Sequence, residues 1–112
     1  MAAATFGCDN LVALIDCNGI QADGPVTVAI EPVPAKFEAF GFTTYEVNGN
    51  DMGALVAALH HCRASTGGPK AIVMRTTPGC GVPSIASRPR AHFVRVTDDE
   101  WADLMQELED NR

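Results

Sequence analysis

A run of five apolar residues, followed at once by a polar loop, constrains the fold of this chain more than any other feature. Residues 11–15 read Leu-Val-Ala-Leu-Ile, which predicts a buried strand. Residues 16–25 then bring acid, amide and glycine together, beginning Asp16-Cys17-Asn18-Gly19. In open parallel sheets, ligands bind in the crevice at the carboxyl ends of the strands. The pattern therefore predicts a sheet strand with a binding loop directly after it.

Two more strands, alternating with helices, complete the predicted fold. Residues 42–47 alternate aromatic and polar side chains, and residues 70–75 contain the apolar run Ala71-Ile72-Val73-Met74, so both predict strands. A short helix is expected over residues 36–40, closed by Gly41. A longer helix is expected over residues 52–64, capped by Asn50 or Asp51, with an apolar face of Leu55, Val56, Leu59 and Cys62. Strands alternating with helices imply parallel pairing through right-handed crossovers. The predicted class is α/β, a parallel sheet with crossover helices.

The remaining segments are predicted to be mostly irregular, apart from the two ends. Residues 1–6 resemble the last turns of a helix, and residues 25–34 are expected to be irregular because of Pro32 and Pro34. Residues 75–89 predict a long loop, and residues 93–96 a brief extended piece. Thr97 and Glu100 predict a capping box at the start of a final helix. Its apolar face consists of Trp101, Leu104, Met105 and Leu108.

Charge and hydropathy exclude several classes of protein. The net charge is −6, but seven of the fourteen acids lie within residues 98–112, so residues 1–97 are neutral. A chain without clustered Lys and Arg has little attraction for nucleic acid. No apolar run is long enough to cross a membrane, and the first residues lack the basic flank of a secretory signal. We expect a folded cytoplasmic protein that binds neither nucleic acid nor membrane.

The Asn18-Gly19 pair has two interpretations on spacing alone. An amide oxygen beside a free backbone carbonyl is a pair of hard, neutral ligands suited to Mg²⁺ or Ca²⁺. Alternatively, Asn-Gly supplies only the positive φ of a tight turn. The four cysteines have no zinc-ligand spacing. Adjacent helical residues point about 100° apart, so the run His60-His61-Cys62 predicts an ordinary helix and not a metal site.

Six stretches, in register from Cys8 to His92, resemble the thiamine-diphosphate domain of transketolases. The resemblance is strongest to the amino-terminal subunit of split bacterial transketolases, and it covers the carboxyl-terminal half of that domain. The stretches are Asp9-Asn10-Leu11, Asp16-Cys17-Asn18-Gly19-Ile20-Gln21-Ala22-Asp23-Gly24, Phe37-Glu38-Ala39-Phe40-Gly41, Glu46-Val47-Asn48-Gly49-Asn50-Asp51, Arg75-Thr76-Thr77-Pro78-Gly79-Cys80-Gly81-Val82 and Ala91-His92-Phe93-Val94-Arg95-Val96.

The resemblance implies a cofactor site made of thiamine diphosphate and a divalent ion, Mg²⁺ or Ca²⁺. It assigns two metal ligands, the side chain of Asn18 and the backbone carbonyl of Ile20. It places Ala22 against the thiazolium ring, where relatives usually have a larger aliphatic residue. It places His92 near the diphosphate and the reacting carbons, as the catalytic residue. The family's third metal ligand comes from a Gly-Asp-Gly motif that this chain lacks.

A second departure from the family lies in the loop at Gly79-Cys80-Gly81. The family has basic residues where this chain has Pro78 and Cys80, so the argument for phosphate binding at this loop is weaker. Arg75, Arg88 and Arg90 could partly replace the lost charges toward a sugar phosphate.

Two functions follow from these residues. The first is part of an enzyme that transfers two-carbon ketol units between sugar phosphates, inactive as this chain alone. It would be completed by a pyrimidine-binding subunit or an upstream segment. Residues 1–97 would be the back half of the cofactor domain and residues 98–112 an acidic helix, and exposed strand edges would favour oligomers. The alternative is a truncated, non-catalytic α/β assembly module, or a related thiamine-diphosphate enzyme with another substrate.

Overall fold

The computed structural model describes residues 1–21 and 24–111. Its helices and strands, in chain order, are α1 (Ala2–Thr5), β1 (Val12–Cys17), β2 (Ile20–Gln21), β3 (Gly24–Pro25), α2 (Val33–Ala39), β4 (Thr43–Asn48), α3 (Met52–Ala64), β5 (Lys70–Arg75), α4 (Pro83–Ala86) and α5 (Asp98–Asp110), with a 3₁₀-helix at Ala91–Phe93. The chain divides into two units. The first unit consists of Met1–Cys17 and Val28–Thr76, and the second consists of the described residues within Asn18–Thr27 and Thr77–Arg112.

A three-stranded parallel sheet forms the centre of the first unit, in the order β1-β5-β4. Ile72 of β5 lies opposite Leu14 of β1 on one side and Tyr45 of β4 on the other. Parallel neighbours require crossover connections, and α2 and α3 lie in the chain between the strands. The predicted α/β class, a parallel sheet with crossover helices, is confirmed.

Strand β5 is the most buried part of the sheet because it has a neighbour on each side. Ala71, Ile72 and Val73 are fully buried, and the strand predicted over residues 70–75 is confirmed. Lys70 is buried as well, and its Nζ donates to the backbone carbonyl of Asp9 at 2.5 Å. This bond satisfies a buried charge and fixes the start of β5 to the segment before β1.

Strand β1 differs from its prediction in length and in burial. It extends through Asp16 and Cys17, which were assigned to the loop, because backbone pairing with β5 continues there whatever the side chains are. Leu14 is 56% exposed. As an edge strand, β1 is covered less completely than a run of five apolar residues suggests.

Helix α3 begins with a side-chain cap. The Oδ1 atom of Asp51 accepts a hydrogen bond from the backbone N–H of Ala54 at 3.0 Å, which satisfies one of the free amides of the first turn. The helix predicted over residues 52–64 is confirmed, and of the two proposed caps it is Asp51 that forms.

The apolar face predicted for α3 is wrong in part. Ala58 and Cys62 are buried with Ile72 in one cluster, whereas Val56 and Leu59 are 48% and 44% exposed. The buried positions carry small side chains, which let the helix lie close to the sheet. Burial also raises the pKa of the Cys62 thiol, so this cysteine behaves as a small apolar residue.

Helix α2 begins earlier than predicted. It spans Val33–Ala39 and contains Pro34, although Pro32 and Pro34 were expected to keep residues 25–34 irregular. Proline is compatible with the first turn of a helix, since the N–H groups there have no partner within the helix. Pro32 is the N-cap, so both prolines lie at positions that a helix start accepts.

The second unit contains several short elements that the sequence did not predict. Strands β2 and β3 form a two-residue antiparallel pair within the loop after β1. Helix α4 interrupts the loop expected over residues 75–89. The 3₁₀-helix includes Phe93, so the extended piece expected over residues 93–96 is wrong at its first residue. Short elements of two to four residues have too few positions to show a hydrophobic period.

Helix α5 confirms the predicted capping box between Thr97 and Glu100. The backbone N–H and the hydroxyl of Thr97 both donate to Oε2 of Glu100 at 3.0 Å. These bonds, with Arg88, lower the pKa of Glu100. Glu107 ties the helix to α4 by accepting from the backbone N–H of Ser84 at 2.9 Å and from its hydroxyl.

Among the residues that the structure describes, no helix is long and apolar enough to cross a membrane. The assignment of residues 1–97 and 98–112 as separate parts stays a prediction.

Candidate functional site

The three strands of the sheet end in one row. Cys17, Arg75 and Asn48 are register partners at the carboxyl ends of β1, β5 and β4. All three strands therefore present their last residues at the same edge, where open parallel sheets bind ligands.

Arg75 is the centre of a charged cluster at this edge. Its Nε donates to Oε1 of Glu46 at 2.6 Å, and its two terminal nitrogens donate to the two carboxylate oxygens of Glu31. The bonds from Arg75, with one from the backbone N–H of Val33, lower the pKa of Glu31 to about 2. The bonds to the two carboxylates raise the pKa of Arg75. Arg75 is thus committed to two carboxylates, and the cluster of three side chains has a net charge of −1.

Asp16 and Thr76 connect the ends of β1 and β5. The Thr76 hydroxyl donates to Oδ1 of Asp16. Burial raises the pKa of the neighbouring Cys17 thiol, which favours its neutral form and makes it a poor nucleophile. We assign no chemistry to this cysteine.

The predicted metal ligands, Asn18 and Ile20, lie together in one turn of the second unit. The side-chain Oδ1 of Asn18 accepts from the backbone N–H of Ile20 at 2.9 Å. Gly19 between them has φ of 73°, a conformation that glycine adopts without steric cost, and its carbonyl accepts from the N–H of Val26 at 3.0 Å. The tight-turn interpretation is therefore correct, and Asn18 and Ile20, whose oxygens are the predicted metal donors, belong to the same turn.

Ala22, the residue expected against the thiazolium ring, lies outside the described residues. His92 lies in the exposed 3₁₀-helix. Its side chain makes no hydrogen bond or ion pair with any described residue, so it is not bonded to Asn18 or Ile20.

The loop at Gly79-Cys80-Gly81 is built by two glycines with φ of 73° and 94°. A Cβ on Gly79 would lie 2.8 Å from the Ile85 side chain, so α4 packs directly against this glycine. Cys80 between them is exposed. The loop places a thiol, and no basic side chain, at the position where the resemblance implies a positive charge.

His61 and Cys62 serve packing, as the helical interpretation predicts. The His61 ring stacks on Tyr45 with centroids 6.1 Å apart, and Cys62 belongs to the core cluster. Within residues 1–21 and 24–111, no group of three or more His, Cys, Asp or Glu side chains could hold a metal.

The pairing of Arg75 with Glu31 and Glu46 was not predicted. Glu31 lies 44 residues from Arg75 in the chain, in a segment without periodicity. The available signal was that Arg75 and Glu46 lie near the carboxyl ends of two predicted strands, which would be neighbours if those strands paired.

Comparison with known proteins identifies one family. Residues 1–111 match the family described as the transketolase, thiamine diphosphate binding domain. An uncharacterized transketolase family protein of Sinorhizobium fredii is 39% identical over 109 residues, which are 95% of this chain and 39% of that protein. An apulose-4-phosphate transketolase subunit of Actinobacillus succinogenes is 32% identical over 98% of this chain and 40% of its own length. The chain thus spans about two fifths of these relatives.

Solved structures show the same fold. The crystal structure of a transketolase from Pichia stipitis in complex with sedoheptulose 7-phosphate matches 98% of this chain with a TM-score of 0.66 and 23% identity. The match covers 20% of the Pichia chain.

Proposed function

Because the chain belongs to the transketolase family of thiamine-diphosphate-binding domains, we propose that it contributes to an enzyme that transfers two-carbon ketol units between sugar phosphates. Its part would be two ligands of the metal that binds the cofactor's diphosphate, and a histidine near the reacting carbons.

The turn at Asn18 is the observation that carries this proposal. The Asn18 oxygen is held 2.9 Å from the Ile20 nitrogen, and an amide oxygen has two lone pairs and can accept more than one interaction. Pro25, the register partner of Ile20, has no N–H and cannot donate to the Ile20 carbonyl. The proposal assigns both oxygens to a cation.

The donor chemistry fits Mg²⁺ or Ca²⁺, since both ions take oxygen ligands. Asn18 and Ile20 provide two neutral oxygens, a partial set that diphosphate oxygens and other protein ligands would complete. When bound, thiamine diphosphate supplies the electron sink for the transferred unit.

His92 is the catalytic residue in this proposal. It is exposed and makes no hydrogen bond within the described part of the chain, so its imidazole is available to donate to an anionic oxygen. Histidine also transfers protons readily near neutral pH. Its role here would be to hold or move a proton at a substrate oxygen.

A second polypeptide, or further sequence of the same domain, would complete the site. Two relatives are named as transketolase subunits, and we propose that the partner is a pyrimidine-binding subunit. β1 is an edge of the described sheet, and an unpaired strand edge favours association. We therefore also propose that the isolated chain forms oligomers.

The second candidate is a non-catalytic assembly module. It is favoured by the lack, among the described residues, of an acidic cluster able to hold a metal without help. A third possibility is the same chemistry on another substrate, since one relative is named as a 6-deoxy-6-sulfo-D-fructose transketolase subunit.

Calorimetry on a hybrid enzyme tests the proposal. The chain would replace the matching two fifths of the apulose-4-phosphate relative, with that relative's second subunit present. We expect Asn18→Ala to weaken magnesium-dependent binding of thiamine diphosphate at least tenfold, because it removes one ligand. Asn48→Ala is the matched control, since Oδ1 of Asn48 accepts from the Asn50 N–H at 3.0 Å in the same type of turn.

Equal affinities of Asn18→Ala and Asn48→Ala for the cofactor would contradict the metal-ligand assignment. A hybrid that binds no cofactor, with a well-folded chain, would favour the assembly module. His92→Ala should lower the turnover number much more than cofactor affinity, and an unchanged turnover number would remove His92 from the mechanism.

A further inference from the structure

A cavity in the first unit lies at the amino end of the sheet. It has a volume of about 580 Å³, and its lining residues include Asp9, Val12, Leu59, Cys62 and Arg63. Pockets of roughly 300 Å³ or more hold small molecules. Val12 is the first residue of β1, so the cavity is at the opposite end of the sheet from the carboxyl ends of the strands.

Hydrogen bonds to the backbone hold the two segments that line this cavity. The Nζ of Lys70 donates to the carbonyl of Asp9 at 2.5 Å, and the N–H of Lys70 donates to the carbonyl of Leu11 at 2.9 Å. Directly after α3, the N–H of Ser65 donates to the carbonyl of His61 at 2.9 Å. The protein itself therefore fixes the segment before β1 and the end of α3.

The cavity presents two opposite charges that the protein does not pair. Asp9 and Arg63 are both exposed, and neither side chain forms an ion pair or a hydrogen bond with any described residue. Lys70 is bonded to the backbone carbonyl of Asp9 and not to its carboxylate. Hydrogen bonds between ionised groups are stronger than neutral ones. A ligand that carries both an ammonium and a carboxylate group can pair with both side chains at once, whereas a simple anion or cation can pair with only one.

The rest of the lining fits an aliphatic group. Val12 and Leu59 offer branched carbon side chains, and Leu59 is 44% exposed. Cys62 is buried beside them and behaves as a small apolar residue. Covering this surface removes apolar area from water, which is favourable. From this arrangement we propose that the cavity binds a free α-amino acid with an aliphatic side chain, its ammonium group at Asp9 and its carboxylate at Arg63.

This site goes beyond the proposed function and does not depend on it. It needs neither Asn18 nor His92, so it can be titrated in the absence of thiamine diphosphate and divalent ions. Loss of amino-acid binding would leave the metal-ligand proposal untouched, and an inert Asn18→Ala variant would leave the amino-acid site untouched.

The test uses the full chain and L-leucine as the probe, measured by calorimetry and by backbone amide chemical shifts. We expect saturation at roughly millimolar concentration or below, as suits so small a ligand, with the largest shifts in residues 9–12 and 59–66. Asp9→Asn and Arg63→Gln should each weaken binding about tenfold, because each removes one charge-assisted hydrogen bond. Neither side chain bonds to the described fold, so both variants should stay folded, which circular dichroism would check.

Three analogues of leucine test which of its groups are recognised. The first, 4-methylpentanoate, lacks the ammonium group, and the second, 3-methylbutylamine, lacks the carboxylate. Glycine keeps both charges and lacks the aliphatic side chain. Each should bind at least about tenfold more weakly than leucine, since each loses one of the three contacts. An analogue that binds as tightly as leucine would overturn the proposal.

Arg95→Gln and Asp103→Asn are the matched control variants. They make the same changes of charge in the second unit, at exposed side chains without a hydrogen bond or ion pair among the described residues. Both should leave the affinity for leucine unchanged. Equal weakening by these controls would show a general effect of charge and would overturn the proposal. So would unchanged affinity in Asp9→Asn or Arg63→Gln, or an absence of saturation in a wild-type chain that is folded.

Discussion

Replacing Ile72 by alanine tests how the sheet is stabilised. Ile72 is fully buried at the centre of β5, and Ile→Ala removes three carbon atoms. At about 0.8 kcal/mol for each buried methylene-sized group, the transfer term is about 2.4 kcal/mol. Two of the neighbours in the cluster, Ala58 and Cys62, are too short to fill the space. A residual cavity of roughly 40 Å³ would then cost about 1 kcal/mol more.

We therefore expect Ile72→Ala to lower the free energy of unfolding by about 3.5 kcal/mol. Leu14→Ala is a matched control, because Leu14 is the register partner of Ile72 and Leu→Ala also removes three carbon atoms. Leu14 is 56% exposed, so its loss should cost only about 1 kcal/mol.

Urea unfolding followed by circular dichroism, at low protein concentration, measures both variants. Equal costs would contradict the burial pattern, since they would mean that Leu14 is covered in solution. If the Leu14→Ala cost rises with protein concentration, a second copy covers β1. A cost below about 1 kcal/mol for Ile72→Ala would refute the view that β5 is the core of the sheet.

Three further outcomes are expected. Asp51→Ala removes the cap of α3 and should cost about 1 kcal/mol in unfolding experiments, whereas Asp51→Asn, which keeps an acceptor oxygen, should cost much less. Gly49→Ala would place a Cβ 2.8 Å from that of Met74, and it should destabilise by about 2 kcal/mol; a neutral effect would contradict this packing. The pKa of Glu31 falls from 4.5 unfolded to about 2 folded because of Arg75. The stability from this pair should therefore be present above pH 4.5 and be lost as pH falls toward 2, and Glu31→Gln should flatten that part of the pH profile.

The parts of the fold that could be predicted are those with strong local signals. The run Lys70–Arg75 follows Gly67-Gly68-Pro69, and Met52–Ala64 follows a capping Asp51, so both elements were predicted at their observed bounds. The end of β1 was not, because Asp16 and Cys17 are strand residues only through pairing with β5.

The candidate site could be predicted to the same degree. The turn at Asn18 is local, so it could be predicted from the sequence, whereas the assignment of Asn18 and Ile20 as metal ligands stays a prediction. The position of Glu31 beside Arg75 depends on 44 residues of intervening fold, and no short pattern encodes it. The contact of Arg88 with Glu100 was equally hidden, because it forms only when α4 and α5 pack.

The strand order β1-β5-β4 has a consequence for how the sheet is made. The strand that appears last in the chain lies in the middle, so β1 and β4 have no direct pairing with each other. Within the described sheet, β1 and β4 can each pair with β5 only after synthesis has passed residue 75. Such long-range closure slows folding.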